Sequence, residues 1–175
     1  MGKPYIITIS SIAGGGKTSV TRALSNSLNR AVAFYFDDYE YCKQPENIGK
    51  WVDNGSNPNE WNLSLIENDI YTAIQSSNYD YIIIDYPFGK NNGYKLSKVI
   101  DISVFIDTPL DIALARRIVR DFSNKTKDDI INELIAYPLV RKYFVYNDNI
   151  KRQYDFSVDG SLTINEIVEI IKTKI

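Results

Sequence analysis

Eight consecutive residues, Ser11-Ile-Ala-Gly-Gly-Gly-Lys-Thr18, concentrate the chemistry of this chain. Gly14, Gly15 and Gly16 carry no Cβ, so the backbone there can curl and aim successive N–H groups at phosphate oxygens. Lys17 follows as a cation for the β- and γ-phosphates, and the Thr18 hydroxyl as a ligand for Mg2+. Ala13 and Ser19 flank the glycines and complete the expected nucleotide-binding run. The spacing is that of a P-loop, except that Ser11 stands where the pattern begins with glycine. Serine is admissible there if its φ is negative.

The other reactive groups are carboxylates and guanidiniums. The chain has no histidine, and its one cysteine, Cys42, excludes an internal disulfide and a cysteine-based metal cluster. Acid–base chemistry must then come from Asp, Glu, Lys or Tyr. Asp37 and Asp38 both end an apolar run, and either could accept the proton of an attacking hydroxyl. Asp85 follows three isoleucines in the manner of a Walker B carboxylate and would help to hold Mg2+. Between Arg116 and Lys127 five bases (Arg116, Arg117, Arg120, Lys125, Lys127) face one acid, Asp121. A basic lid over about 116–128 would neutralise charge developing on a transferring phosphate; the plainer alternative is a solvated helix face.

These residues must be positioned by strands and helices that alternate. Tyr5–Ile9 reads as a buried strand, and Val20, Leu24 and Leu28 put an apolar face on a helix over 17–29. A second strand spans 31–36, followed by an irregular acceptor-covering segment at about 40–61 with one helical turn. Leu63, Ile66, Ile70 and Ile74 predict a helix, with Ser64 and Glu67 as a capping box. Strands follow at 79–85 and 100–107, with a short helix at 92–98 between them. A helix opens at Thr108-Pro109, carrying Leu110, Ala113, Leu114 and Ile118 on its apolar side. Another spans 127–137, where Pro138 is expected to end or kink it. A last strand at 154–158 leads to a closing helix capped by Thr163 and Glu166. The expected fold is α/β: a P-loop NTPase-type three-layer α/β/α arrangement with a mostly parallel five-stranded sheet and a helical lid, in one domain over 1–175. Ligands of such sheets sit beyond the carboxyl ends of the strands, which gathers Ser11–Thr18, Asp37–Asp38, Asp85–Pro87 and Asp107–Pro109 on one rim.

Composition narrows the partners. A net charge of −2 gives no general attraction to nucleic acid, and no apolar run reaches the length of a membrane span. The start of the chain lacks a cleavage pattern, so the expected location is cytoplasmic; a homodimer is left open.

At these residues the chain resembles the uridine kinase and nicotinamide riboside kinase group of P-loop kinases over most of its length. Phe36-Asp37-Asp38-Tyr39 is similar to the end of that group's second strand, which implies that Asp37 is the general base. Phe105-Ile-Asp-Thr108 with Ala115-Arg-Arg-Ile-Val-Arg-Asp121 is similar to its lid-helix signature. This implies that Arg117 faces the acceptor and Arg120 the triphosphate. Asp85 stands where uridine kinases carry Glu, and Lys125 and Lys127 where the family has arginines. Ser56 stands where an Asp would hold ribose hydroxyls, in a stretch, Ser56–Trp61, similar to the family's Asp-x-Pro-x-x-aromatic pattern. Between Gln75 and Tyr81 there is no room for the uracil-covering hairpin, and the pocket histidine is absent. The resemblance implies an ATP- and Mg2+-dependent kinase acting on a hydroxyl of a small molecule, with a nucleoside as one acceptor. The alternatives are a kinase of a vitamin, sugar or nucleoside monophosphate, or a nucleotide-binding regulatory protein without transfer activity.

Overall fold

The computed structural model describes residues 2–41, 43–55, 57, 60–88, 90, 95–150 and 153–175, without the side chains of 48, 52, 139–140 and 142–150. Five parallel strands, β1 (Tyr5–Ser11), β2 (Ala31–Tyr35), β3 (Tyr81–Asp85), β4 (Ile102–Asp107) and β5 (Phe156–Asp159), lie in the order β2-β3-β1-β4-β5. The expected mostly parallel sheet is wholly parallel among these strands. Among the described residues six α-helices accompany it: α1 (Lys17–Ser27), α2 (Ile48–Asp53), α3 (Ser64–Ser76), α4 (Leu110–Phe122), α5 (Lys127–Ile150) and α6 (Ile164–Lys172).

The unbroken isoleucine runs explain the layering. Successive side chains of a strand point to opposite faces, so a run buried throughout needs cover on both. Ile82 and Ile84 pack with Ile66 and Ile70 of α3, whereas Ile83 packs with Val20 and Leu24 of α1 and Ile167 and Ile171 of α6. The capping box on α6 forms as expected: Thr163 Oγ1 accepts from Glu166 N, and Glu166 Oε2 accepts from Thr163 N.

Three expectations are corrected. Ser64 does not cap α3: Leu63 occupies the cap without a side-chain bond, Asn62 Oδ1 accepts from Ser64 N, and Glu67 is itself buried. Of the two outcomes expected at Pro138, an end or a kink, the helix does not end there and continues to Ile150. Pro138 is exposed, so water can reach the carbonyl that its missing N–H leaves over. The second strand stops at Tyr35, because Phe36–Asp38 winds into a 3-10 turn. Of the expected helix at 92–98, the described part is a 3-10 turn, Lys95–Lys98. Its start, Cys42, and Ser56, Pro58 and Asn59 of the acceptor-covering stretch lie outside the described residues.

Candidate functional site

β1 ends at Ser11, and the chain turns through the three glycines into α1. Gly14 and Gly16 have φ of 82° and 98°, the left-handed region in which a Cβ is strained. A Cβ on Gly14 would also stand 2.2 Å from the carbonyl oxygen of Ala113, and one on Gly15 2.7 Å from Oγ of Ser11. Ser11 is not among the positive-φ residues, so serine fits where the pattern has glycine. Its hydroxyl donates to Ile12 O at 3.0 Å. The α1 start has Gly16 at its cap with no side-chain bond, and no acidic residue in its first turn. The positive end of the helix is thus left for an external anion.

Three chain segments converge on this start. Lys17 Nζ lies 3.0 Å from Asp85 Oδ1 and 3.6 Å from Asp37 Oδ2. Thr18 Oγ1 donates to Asp85 Oδ2 at 2.6 Å. The convergence follows from register: β3 lies between β1 and β2, and Asp85 pairs with Ile9 on one side and Tyr35 on the other. Asp85 is only 1% exposed, and burial pushes its carboxyl above the ordinary carboxylate range, against the opposing pull of Lys17 and Thr18. Its Oδ1 meets Lys17 without the alignment of a hydrogen bond. Asp37 is the reverse case, with 77% of its side chain exposed. Its neighbour Asp38 is also exposed, and its charge acts on Tyr39.

The sequence reading missed the supports of the loop. Thr108, at the end of β4, is buried and donates through Oγ1 to Gly15 O at 2.8 Å. Gly160, after β5, packs so closely on Thr108 that a Cβ there would fall 1.8 Å from Oγ1. Arg116 Nη1 donates to Gly160 O at 3.1 Å and lies 3.9 Å from where a Cβ of Gly16 would be. A glycine at a strand end opposite a threonine was the available signal.

The basic residues of α4 do not behave alike. Ala113 touches Gly14, and positions three, four and seven further on share its face: Arg116, Arg117 and Arg120. Arg117 Nη2 is paired with Glu133 Oε1 of α5. Arg120 grips Asp121 through Nε at 2.6 Å and Nη2 at 2.9 Å, with 63% of its side chain exposed. Asp121 chiefly, and Asp37 as a further negative charge, raise the guanidinium above its ordinary value. Lys125 lies with Phe122, Asp129, Asn132 and Glu133 along an open groove between α4 and α5. The start of α5 is already capped, since Thr126 and Asp129 exchange side-chain and backbone bonds.

Rings of the 40–61 segment (Tyr41, Trp51, Trp61) join Phe36, Tyr86 and Phe88 in an aromatic cluster. Phe36 stacks on Tyr41 at 4.7 Å and meets Trp61, Tyr86 and Phe88 edge-on. Trp51 joins through Trp61 and Phe88 and donates its Nε1 to Asn57 O. Among the described residues the buried Nε1 of Trp61 has no partner. Ser56 lies outside the described residues.

Among the described residues no group of three or more His, Cys, Asp or Glu side chains stands together. A metal here would rest on one carboxylate, one hydroxyl and the oxygens of its ligand, a donor set that suits Mg2+. Thr18 fits this role, since a hydroxyl that gives its proton to Asp85 keeps its lone pairs for a cation.

No protein-family model matches the chain. It is similar over its whole length to a uridine kinase of Streptococcus thermophilus, with 27% identity covering 99% of this chain and 94% of that one. A shikimate kinase of Bacteroides thetaiotaomicron superposes with a TM-score of 0.55 at 14% identity, over 97% of each chain. The tunicamycin resistance protein of Deinococcus radiodurans superposes with a TM-score of 0.57 at 17% identity, over 98% of this chain and 95% of that one.

Proposed function

We propose, for a chain that resembles uridine kinases along its whole length and has the P-loop NTPase-type fold of the kinases it superposes on, that it transfers the terminal phosphoryl group of ATP to a hydroxyl of a small molecule. A nucleoside is the first acceptor class to test. One observation carries the reading: Lys17 stands between a buried carboxylate tied to Thr18 and an exposed one, at the mouth of an open glycine cradle.

Each residue then has a task. The backbone N–H groups from Ala13 to Ser19 cradle the phosphates, and Lys17 leaves its carboxylates to neutralise the transferring group. Thr18 and Asp85 would hold Mg2+, which would supply positive charge against the phosphates. Asp37 takes the acceptor's proton, a role suited to an exposed carboxylate on the acceptor side of the ammonium. Arg120, exposed on the α4 face shared with Ala113, turns from Asp121 to the phosphates, and Arg117 joins it from the same face. Lys125 adds charge at the lid tip. The aromatic cluster covers the acceptor, and Trp61 Nε1, without a partner among the described residues, would donate to it.

A second reading, nucleotide binding without transfer, is favoured by the aromatic rings packing on one another and by the engaged guanidiniums. ADP release from Mg·ATP across nucleosides, vitamins, sugars and nucleoside monophosphates separates the two, with Lys17→Ala as the blank. Acceptor-dependent release that the blank abolishes is the expected result. Nucleotide binding with no release for any acceptor would give the site to the second reading.

A further inference from the structure

Resting on that reading of the cradle, we infer that Glu133 is a counter-ion that Arg117 must leave before it can serve a phosphate, so that the α4–α5 ion pair sets the affinity for nucleotide. Arg117 is rooted four residues beyond Ala113, whose backbone touches Gly14, so its face of α4 is the one applied to the loop. Its guanidinium is nevertheless directed to α5, where Nη2 pairs with Glu133 Oε1. Both side chains are largely removed from water, at 17% and 25% exposure, so water screens this pair less than it does the exposed pair of Arg120 and Asp121. A guanidinium already neutralised by a half-buried carboxylate offers little to an incoming phosphate. Even where its fork reaches both partners, the carboxylate charge opposes the phosphate charge.

The pair also joins two elements. Arg117 belongs to α4, which rests on the loop, and Glu133 to the second turn of α5. Drawing Arg117 toward the phosphates therefore gives up one ion pair between α4 and α5. Nucleotide binding and release of that contact are coupled, and by linkage each opposes or favours the other to the same extent. Glu133 acts through Arg117 and is a positioning residue; it does not touch the reacting atoms.

The test is equilibrium binding of Mg·ATP and of adenosine, by calorimetry, to the wild type, Glu133→Gln, Glu133→Asp and the double variant Arg117→Gln/Glu133→Gln beside Arg117→Gln. Glutamine keeps the shape and a hydrogen-bond acceptor but removes the charge. The expected result is tighter Mg·ATP binding by about fivefold or more, with adenosine binding unchanged because it carries no phosphate. Asp, shorter by one methylene, should give a smaller gain, and with Arg117 replaced the Gln substitution should give none. Unchanged or weaker Mg·ATP binding in folded Glu133→Gln and Glu133→Asp would overturn the inference and leave the cradle intact. So would a gain that persists without Arg117. Failure of the wild type itself to bind Mg·ATP would overturn both the inference and the kinase reading.

Discussion

Gly160→Ala should disturb the glycine loop from the opposite end of the sequence. The added Cβ would lie 1.8 Å from Thr108 Oγ1 and 2.9 Å from Thr108 Cα, so rotating the side chain cannot relieve it alone. Overpacking of this kind costs about 1–3 kcal/mol. Displacing Thr108 also deprives the buried Gly15 carbonyl of its donor, which costs about 1–3 kcal/mol more. A loss near 3 kcal/mol would lower the melting temperature of a chain of this length by roughly 6–12 °C. Thr108→Ala alone forfeits the Gly15 bond but removes the closest clashing atom. The double variant should therefore be more stable than the sum of the single costs allows, by about 1 kcal/mol or more. Thermal melts and denaturant titrations of the three variants measure this coupling, and Mg·ATP affinity reports the loop. A Gly160→Ala protein that melts with the wild type, or strictly additive costs, would refute the claim that Thr108 and Gly160 clamp the loop.

Asp37→Asn should leave Mg·ATP binding nearly unchanged and lower acceptor-dependent turnover by about 10²–10⁴, the usual worth of a positioned base; unaffected turnover would move the base elsewhere. Asp85→Asn tests the buried carboxylate through pH. Because burial raises the folded pKa of Asp85 above its ordinary 3.8, the native state holds its proton more firmly than the unfolded chain does. Its contribution to stability is full below the unfolded value and is lost as pH rises through the folded one. The stability of the wild type relative to Asp85→Asn should thus fall as pH rises above about 4 and then level off. Denaturant titrations across that range check it, and a constant or growing difference would contradict the burial argument.

Local chemistry made much of this fold legible. Ile82, Ile83 and Ile84 can all be buried only in a sheet covered on both faces, and the 3.6-residue spacing of Val20 and Leu24 names the inner face of α1. Gly14 and Gly16 were readable as a tight turn between strand and helix, and they take the left-handed backbone that favours glycine. Thr163 and Glu166 were readable as a cap because both partners lie within one turn.

The same reasoning failed at Ser64, where an identical spacing produced no cap because Glu67 faces the interior, and Pro138 does not end its exposed helix. Sequence by itself determined the glycine loop between strand and helix, the alternation of strands and helices, and the rim on which the carboxylates gather, since each follows from backbone sterics or periodicity over a few residues. Only the tertiary structure decided that Asp37 rather than Asp38 meets Lys17, that Arg117 turns to Glu133, and that Thr108 and Gly160 brace the loop. Those pairings join residues 16 to 93 positions apart, or choose between adjacent carboxylates of equal chemistry, and such choices are made by register and packing across the whole sheet.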